Sequence, residues 1–142
     1  MKIRARKAFM ALLALWFFTS SPGSAQVALV PSGASWEYLH NGTDPGPTWP
    51  ELGFADGAWA AGPGPLGYST DNDTTFATTV GFGSDAANKY ATTYFRRVFN
   101  VADKSSITSM RARVRRDDGI QLFLNGVLIL KDTITNEVVA SG

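Results

Sequence analysis

The chain has 142 residues, of which 44% are apolar and 18% charged, and its formal net charge is +1. That composition belongs to a globular protein with room for one domain. The absence of cysteine excludes a disulfide framework, thiolate-held zinc or iron–sulfur clusters, a thiol nucleophile and a lipidated N-terminal cysteine. A single histidine, His40, excludes sites built from several imidazoles.

Met1–Ala25 reads as a secretory signal peptide. Lys2, Arg4, Arg6 and Lys7 form a basic start, and Ala8–Phe18 follows as an 11-residue apolar run. Thr19–Ala25 then brings Pro22, Gly23 and small residues suited to cleavage near Ala25–Gln26. Spanning a bilayer takes roughly 20 apolar residues, so the run is too short for an anchor. The mature chain, 26–142, is therefore expected outside the cytoplasm and free of the membrane. Without the four leader cations it carries 9 basic against 12 acidic residues, a net charge of −3. Such a surface has no use for a phosphate backbone, and nucleic acid is excluded as a partner.

From Gln26 to Gly83 the density of proline and glycine leaves no apolar pattern of helical period. Short strands and ordered loops are expected there, carrying Trp36, Tyr38, Trp49, Phe54, Trp59 and Tyr68. Thr92–Val101 alternates, with Phe95, Phe99 and Val101 on one face and Tyr94, Arg96 and Val98 on the other. Ile107–Arg116 alternates again, with Met110, Ala112 and Val114 inward and Arg111, Arg113 and Arg115 outward. Asp117-Asp118-Gly119 interrupts it. Ile120–Leu124 and Val127–Lys131 then flank Asn125-Gly126, a strong signal for a two-residue hairpin. The pattern predicts an all-β, antiparallel sandwich. Strands are expected near Tyr94–Val101, Ile107–Arg116, Ile120–Leu124 and Val127–Lys131. Phe95, Phe99, Met110, Ala112 and Val114 should be among the most buried residues. Asp132–Gly142 is too short to close two sheets, so either Gly142 is a natural end or the domain continues past it.

Few motifs carry chemistry. Gly62-Pro-Gly-Pro-Leu-Gly67 matches G-x-G-x-x-G in letters, but Pro63 and Pro65 have no N–H to offer a phosphate and no helix follows. No G-x-S-x-G elbow is present, and His40 has no evident serine partner. Asp71-Asn72-Asp73 and Asp117-Asp118 offer the oxygens that calcium requires. At both places the favoured reading is a polar turn whose side chains accept local N–H bonds. Trp36, Tyr38, Trp49, Trp59, Tyr68, Tyr90 and Tyr94 are able to stack on sugar rings, although in a cysteine-free β domain most are expected to pack the core. The Arg111/Arg113/Arg115 row reads as a solvated strand face. Asn41-Gly-Thr43 and Asn72-Asp-Thr74 match the glycosylation tripeptide.

In order, Trp36-x-Tyr38, Asp44–Trp49, Phe54-Ala-Asp-Gly-Ala-Trp59, Gly62–Tyr68, Asn88–Phe99 and Arg116–Gly126 form a series. It resembles the galactose-binding-domain-like jelly-roll modules of large secreted bacterial proteins, over roughly Val30–Lys131. Those modules read as a tryptophan, a Phe-Asp-Asp-Ser-x-Trp segment, a Pro-Leu-Gly-Tyr loop, a Thr-Tyr-Phe-Arg-Arg strand and an Asp-Asp-Gly…Leu-Asn-Gly hairpin. Here Phe54, Asp56 and Trp59 are kept, and Ala55 stands where the family has a carboxylate. Family modules run on for several tens of residues beyond the hairpin, which implies a first module incomplete at its C-terminus. The resemblance also implies a β-sandwich accessory unit attached to phosphoesterases, glycoside hydrolases or adhesive regions. The Asp-Asp-Gly hairpin is similar to that of the protective-antigen-type sugar-binding modules in yeast adhesins, where adjacent aspartates hold calcium and calcium holds sugar hydroxyls.

The expectation is thus a non-catalytic, exported module binding carbohydrate or a cell-surface polymer. Its alternative is a structural spacer in a larger secreted hydrolase, a phosphoesterase or glycoside hydrolase, whose catalytic domain lies beyond residue 142. The expected partners are a polysaccharide or glycan and further domains of the same chain. The candidate ligand residues are Asp117, Asp118, Trp59 and Tyr68. Asp117, Asp118, Asp71 and Asp73 are the candidates for calcium, the one cofactor considered.

Overall fold

The computed structural model describes residues 26–69, 75–116, 119–132 and 138–141. The strands among these described residues are, in chain order, β1 Ser35–Leu39, β2 Ala60–Pro63, β3 Leu66–Gly67, β4 Thr78–Thr79, β5 Tyr94–Arg96, β6 Arg111–Val114, β7 Ile120–Leu124, β8 Val127–Asp132 and β9 Val138–Ser141. Helix among the described residues is confined to a 3-10 turn at Lys104–Ser106, and no helix there is long and apolar enough to cross a membrane. The protein is essentially all-β. Its pairings are antiparallel except for β3 and β4, which lie parallel, Leu66 beside Thr78 and Gly67 beside Thr79.

β1 is the centre of a three-stranded sheet in the order β2-β1-β5. Tyr38 faces Ala60 on one side and Phe95 on the other, and is buried. Gly62, opposite Trp36, lets β4 approach β2 closely: a Cβ there would run into the Thr78 side chain, whose hydroxyl donates to the Pro63 carbonyl at 2.8 Å. Val80, just after β4, is the most buried apolar side chain described, at 3% exposure.

The second half follows the alternation in direction but not in extent. Arg111, Arg113 and Arg115 are exposed, with Ala112 and Val114 half-buried between them, as the period-two reading requires. The expected strand Ile107–Arg116 begins only at Arg111. Asp103 diverts the chain before it, because its carboxylate accepts from the Ser105 N–H at 2.9 Å and the Ser105 hydroxyl at 2.6 Å, capping the 3-10 turn. Met110 consequently lies outside the ladder and is exposed. Likewise the strand expected over Tyr94–Val101 ends at Arg96. Phe95 and Phe99 are half-buried, not among the most buried residues. That place falls to Tyr38, Val80 and Arg96. A loop covers Arg96, which is therefore buried although it stands on the face read as outward, while Val98 on that same face is exposed.

β7 and β8 form the hairpin expected at Asn125-Gly126. Both turn residues have positive φ, 50° and 82°, as a type I′ turn demands. The register shifts between Leu122, paired with Leu130, and Phe123, paired with Leu128, leaving Ile129 as an extra residue. β9, in a tail for which the sequence suggested no strand, pairs antiparallel with β6, Ala112 opposite Ala140.

Candidate functional site

β5 presents Tyr94 and Arg96 on one face, because alternate residues of a strand share a side. The loop from Trp49 to Trp59 folds over them. Arg96 Nε donates to Asp56 Oδ2 at 2.8 Å, and Nη1 donates to the carbonyls of Trp49 and of Glu51, the latter at 3.0 Å. The guanidinium lies 5.1 Å from the centre of the Phe54 ring. Trp49 meets Tyr94 and Phe123 edge-on at 5.2 and 5.4 Å, and Trp59 meets Phe54 at 5.7 Å. Trp59 therefore packs inside this arginine-centred cluster. Phe54, Asp56 and Trp59 all serve it.

Tyr68 belongs to a different cluster. Its ring packs on Phe82 at 4.7 Å, and the Lys89 ammonium sits 5.1 Å from the Tyr68 ring centre and 5.5 Å from that of Phe82. The structure thus assigns Trp59 and Tyr68 to two separate packing clusters. Asp117, Asp118, Asp71 and Asp73, the other candidate ligand and calcium residues, lie outside the described residues. Next to the Asp117-Asp118 pair, Arg116 Nη2 meets Asp132 Oδ2 at 2.9 Å and ties the end of β6 to the end of β8. No group of three or more potential metal ligands occurs among the described residues.

His40 is also structural. Its Nδ1 accepts the Gly81 N–H, and its ring stands edge-on to Tyr38 at 5.0 Å.

One small cleft combines polar groups of the kind that bind ligands. Gly42, Thr43, Asp44, Ala91, Thr92 and Tyr94 line about 130 Å³ between the loop after β1 and the start of β5. Its first wall is built by local turns. Asn41 Oδ1 accepts from the Thr43 N–H at 3.1 Å and the Thr43 hydroxyl at 2.7 Å, and Asp44 Oδ1 accepts from the Gly46 N–H at 2.9 Å. Its second wall is β5, which supplies the Tyr94 phenol. Burial, and then the nearby Asp44 charge, raise the Tyr94 pKa above its ordinary 10.0, so the phenol stays a hydrogen-bond donor at neutral pH. The residues lining the cleft thus carry a carboxylate, a phenol and two threonine hydroxyls, of which the Thr43 hydroxyl already donates to Asn41. The cleft's volume is well under the roughly 300 Å³ at which ligand pockets usually begin, which restricts it to one edge of a ligand.

Beside the cleft stands Tyr90, exposed at 40%. In the sequence Tyr90 is one of seven aromatic candidates, and nothing there groups Thr43, Asp44, Thr92 and Tyr94. The available signal was Gly42 and Gly83, whose bare backbones the Tyr90 ring touches. No protein-family model, curated protein or solved structure matches the chain.

Proposed function

We propose that the chain is an exported, non-catalytic β-sandwich module, of the galactose-binding-like jelly-roll kind, that binds carbohydrate or a cell-surface polymer. The observation supporting this is the Thr43–Asp44–Thr92–Tyr94 cleft, with its paired donors and acceptors and an exposed aromatic residue beside it. Sugar hydroxyls each donate and accept, and neutral sugar rings present apolar C–H faces to aromatics. The basic, apolar and small-residue succession of Met1–Ala25 supports export.

Retention of the purified chain on immobilised polysaccharides tests the binding function directly. Retention on at least one neutral or acidic polymer is expected, whereas passage through all of them leaves the spacer role. Running the same columns with calcium and with a chelator addresses Asp117, Asp118, Asp71 and Asp73. If adjacent carboxylates hold calcium and calcium holds the glycan, chelation and Asp118→Ala both abolish retention. Unchanged retention assigns those aspartates to turns. N-terminal sequencing of protein recovered from the medium should begin at Gln26.

A further inference from the structure

Among the described residues, the tyrosines and tryptophans are used unequally. Tyr38, Trp49, Trp59, Tyr68 and Tyr94 each pack against another aromatic ring, and Trp36 is half-buried in β1. Tyr90 packs against no other ring, and it alone of these residues is exposed.

Its position is nevertheless tightly specified. The Cδ1–Cε1 edge of the ring lies against two glycines from different loops. A Cβ on Gly42 would fall 2.6 Å from Cδ1 and 2.8 Å from Cε1, and a Cβ on Gly83 would fall 3.3 Å from Cε1. Both glycines have positive φ, +79° and +109°, so their conformation suits no ordinary side chain either.

The loop carrying Tyr90 is held at several points. The Tyr90 N–H donates to the Phe82 carbonyl at 2.9 Å. Asp85 Oδ1 accepts from the Ala87 N–H at 2.8 Å, and Asp85 Oδ2 accepts from the Asn88 amide. Lys89, the neighbour of Tyr90, is turned onto Tyr68 and Phe82. An aromatic ring held in a two-glycine seat, with the rest of it facing water, gives contact area at little further cost in conformational entropy.

Gly42 and Ala91, the residues the Tyr90 ring and backbone adjoin, also line the Thr43–Asp44–Thr92–Tyr94 cleft. Aromatic surface and hydroxyl-binding wall are therefore contiguous. We propose that Tyr90 is the stacking platform of a subsite for one neutral hexose, whose ring lies on Tyr90 while hydroxyls of one edge enter the cleft. This rests on the carbohydrate-binding reading above and deepens it. The neutral class follows from charge: the cleft holds the Asp44 carboxylate and, among the described residues, no cation lines it, so a uronate would meet repulsion. The small volume agrees, because it admits an edge and leaves the sugar ring outside, where Tyr90 stands.

Titration of the purified chain with neutral galacto- and gluco-oligosaccharides and with an oligogalacturonate, followed by NMR and calorimetry, tests this. At least one neutral oligosaccharide should bind, more tightly than the uronate, and shift the Tyr90 ring resonances. Tyr90→Ala should weaken that binding about 10-fold, equivalent to about 1.4 kcal/mol, and Tyr90→Trp should retain it. Gly42→Ala, which pushes a methyl group into the seat, should weaken binding as Tyr90→Ala does. Unchanged affinity in a folded Tyr90→Ala, unmoved Tyr90 resonances in the unmodified chain, or preference for the uronate overturns the platform and leaves carbohydrate binding standing. If no sugar binds the unmodified chain, the functional reading fails and the subsite fails with it.

Discussion

Arg96 and Asp56 stand 40 residues apart in the chain and meet at 2.8 Å, with the arginine side chain 8% exposed and the aspartate 26%. The pair fastens the loop after β1 to β5. Because Arg96 also takes the Trp49 and Glu51 carbonyls, one guanidinium ties three points of that loop to β5.

Removing either member of this pair should be costly. Arg96→Met leaves Asp56 without its cation and removes the guanidinium from the Trp49 and Glu51 carbonyls, of which Glu51 keeps the Phe54 N–H, a loss of about 3 kcal/mol. Arg96→Lys should recover little of it, since an ammonium lacks the planar fork that reaches carboxylate and carbonyls together. Asp56→Asn, at a more exposed position, should cost less than Arg96→Met. Urea denaturation midpoints of the three variants rank them, and a neutral Arg96→Met would show that the cluster stands without its arginine.

Gly62 and Thr78 should be coupled. A methyl group at Gly62 meets the Thr78 side chain, and overpacking of this kind costs about 1–3 kcal/mol. Thr78→Ala removes the obstruction together with its hydrogen bond to Pro63. The double variant should therefore be less destabilised than the two single losses added together. Strict additivity in thermal melts would place the strain elsewhere.

Tyr94 should make stability fall at high pH. Its raised pKa, caused first by burial and then by Asp44, means that the fold prefers the neutral phenol. The resulting stabilisation is complete below the ordinary value of 10.0 and is lost as pH rises through the higher folded value. Tyr94→Phe should flatten the alkaline decline in melting temperature, and Asp44→Asn should bring tyrosinate formation at position 94 to lower pH. An identical alkaline profile in Tyr94→Phe would remove this residue from the explanation.

Val127, Leu128 and Ile129 should drive self-association. They are consecutive and exposed at 64%, 45% and 48% on a strand whose described partner is β7 alone. The bulge at Ile129 breaks the alternation that would turn some of them inward. Val127→Thr with Leu128→Lys should lower the sedimentation-derived average mass at high concentration, with each change altering stability by about 0.5 kcal/mol or less. Association unaffected by the two changes would acquit this strand.

The features decided by neighbours in the chain were legible in the sequence. Asn125-Gly126 specifies a turn from two residues, and alternation sets Arg111, Arg113 and Arg115 on the outward face of β6, because both depend on backbone geometry over a few positions. Features that need two distant segments were not legible. Arg96 reads as an outward charge until the Trp49–Trp59 loop covers it. Tyr90 is one aromatic among several until Gly42 and Gly83 come together beneath its ring. Strand period is a property of adjacent residues, whereas burial is set by whatever the fold brings from far along the chain. Period alone therefore left undecided which face of β5 is covered and which tyrosine remains in water.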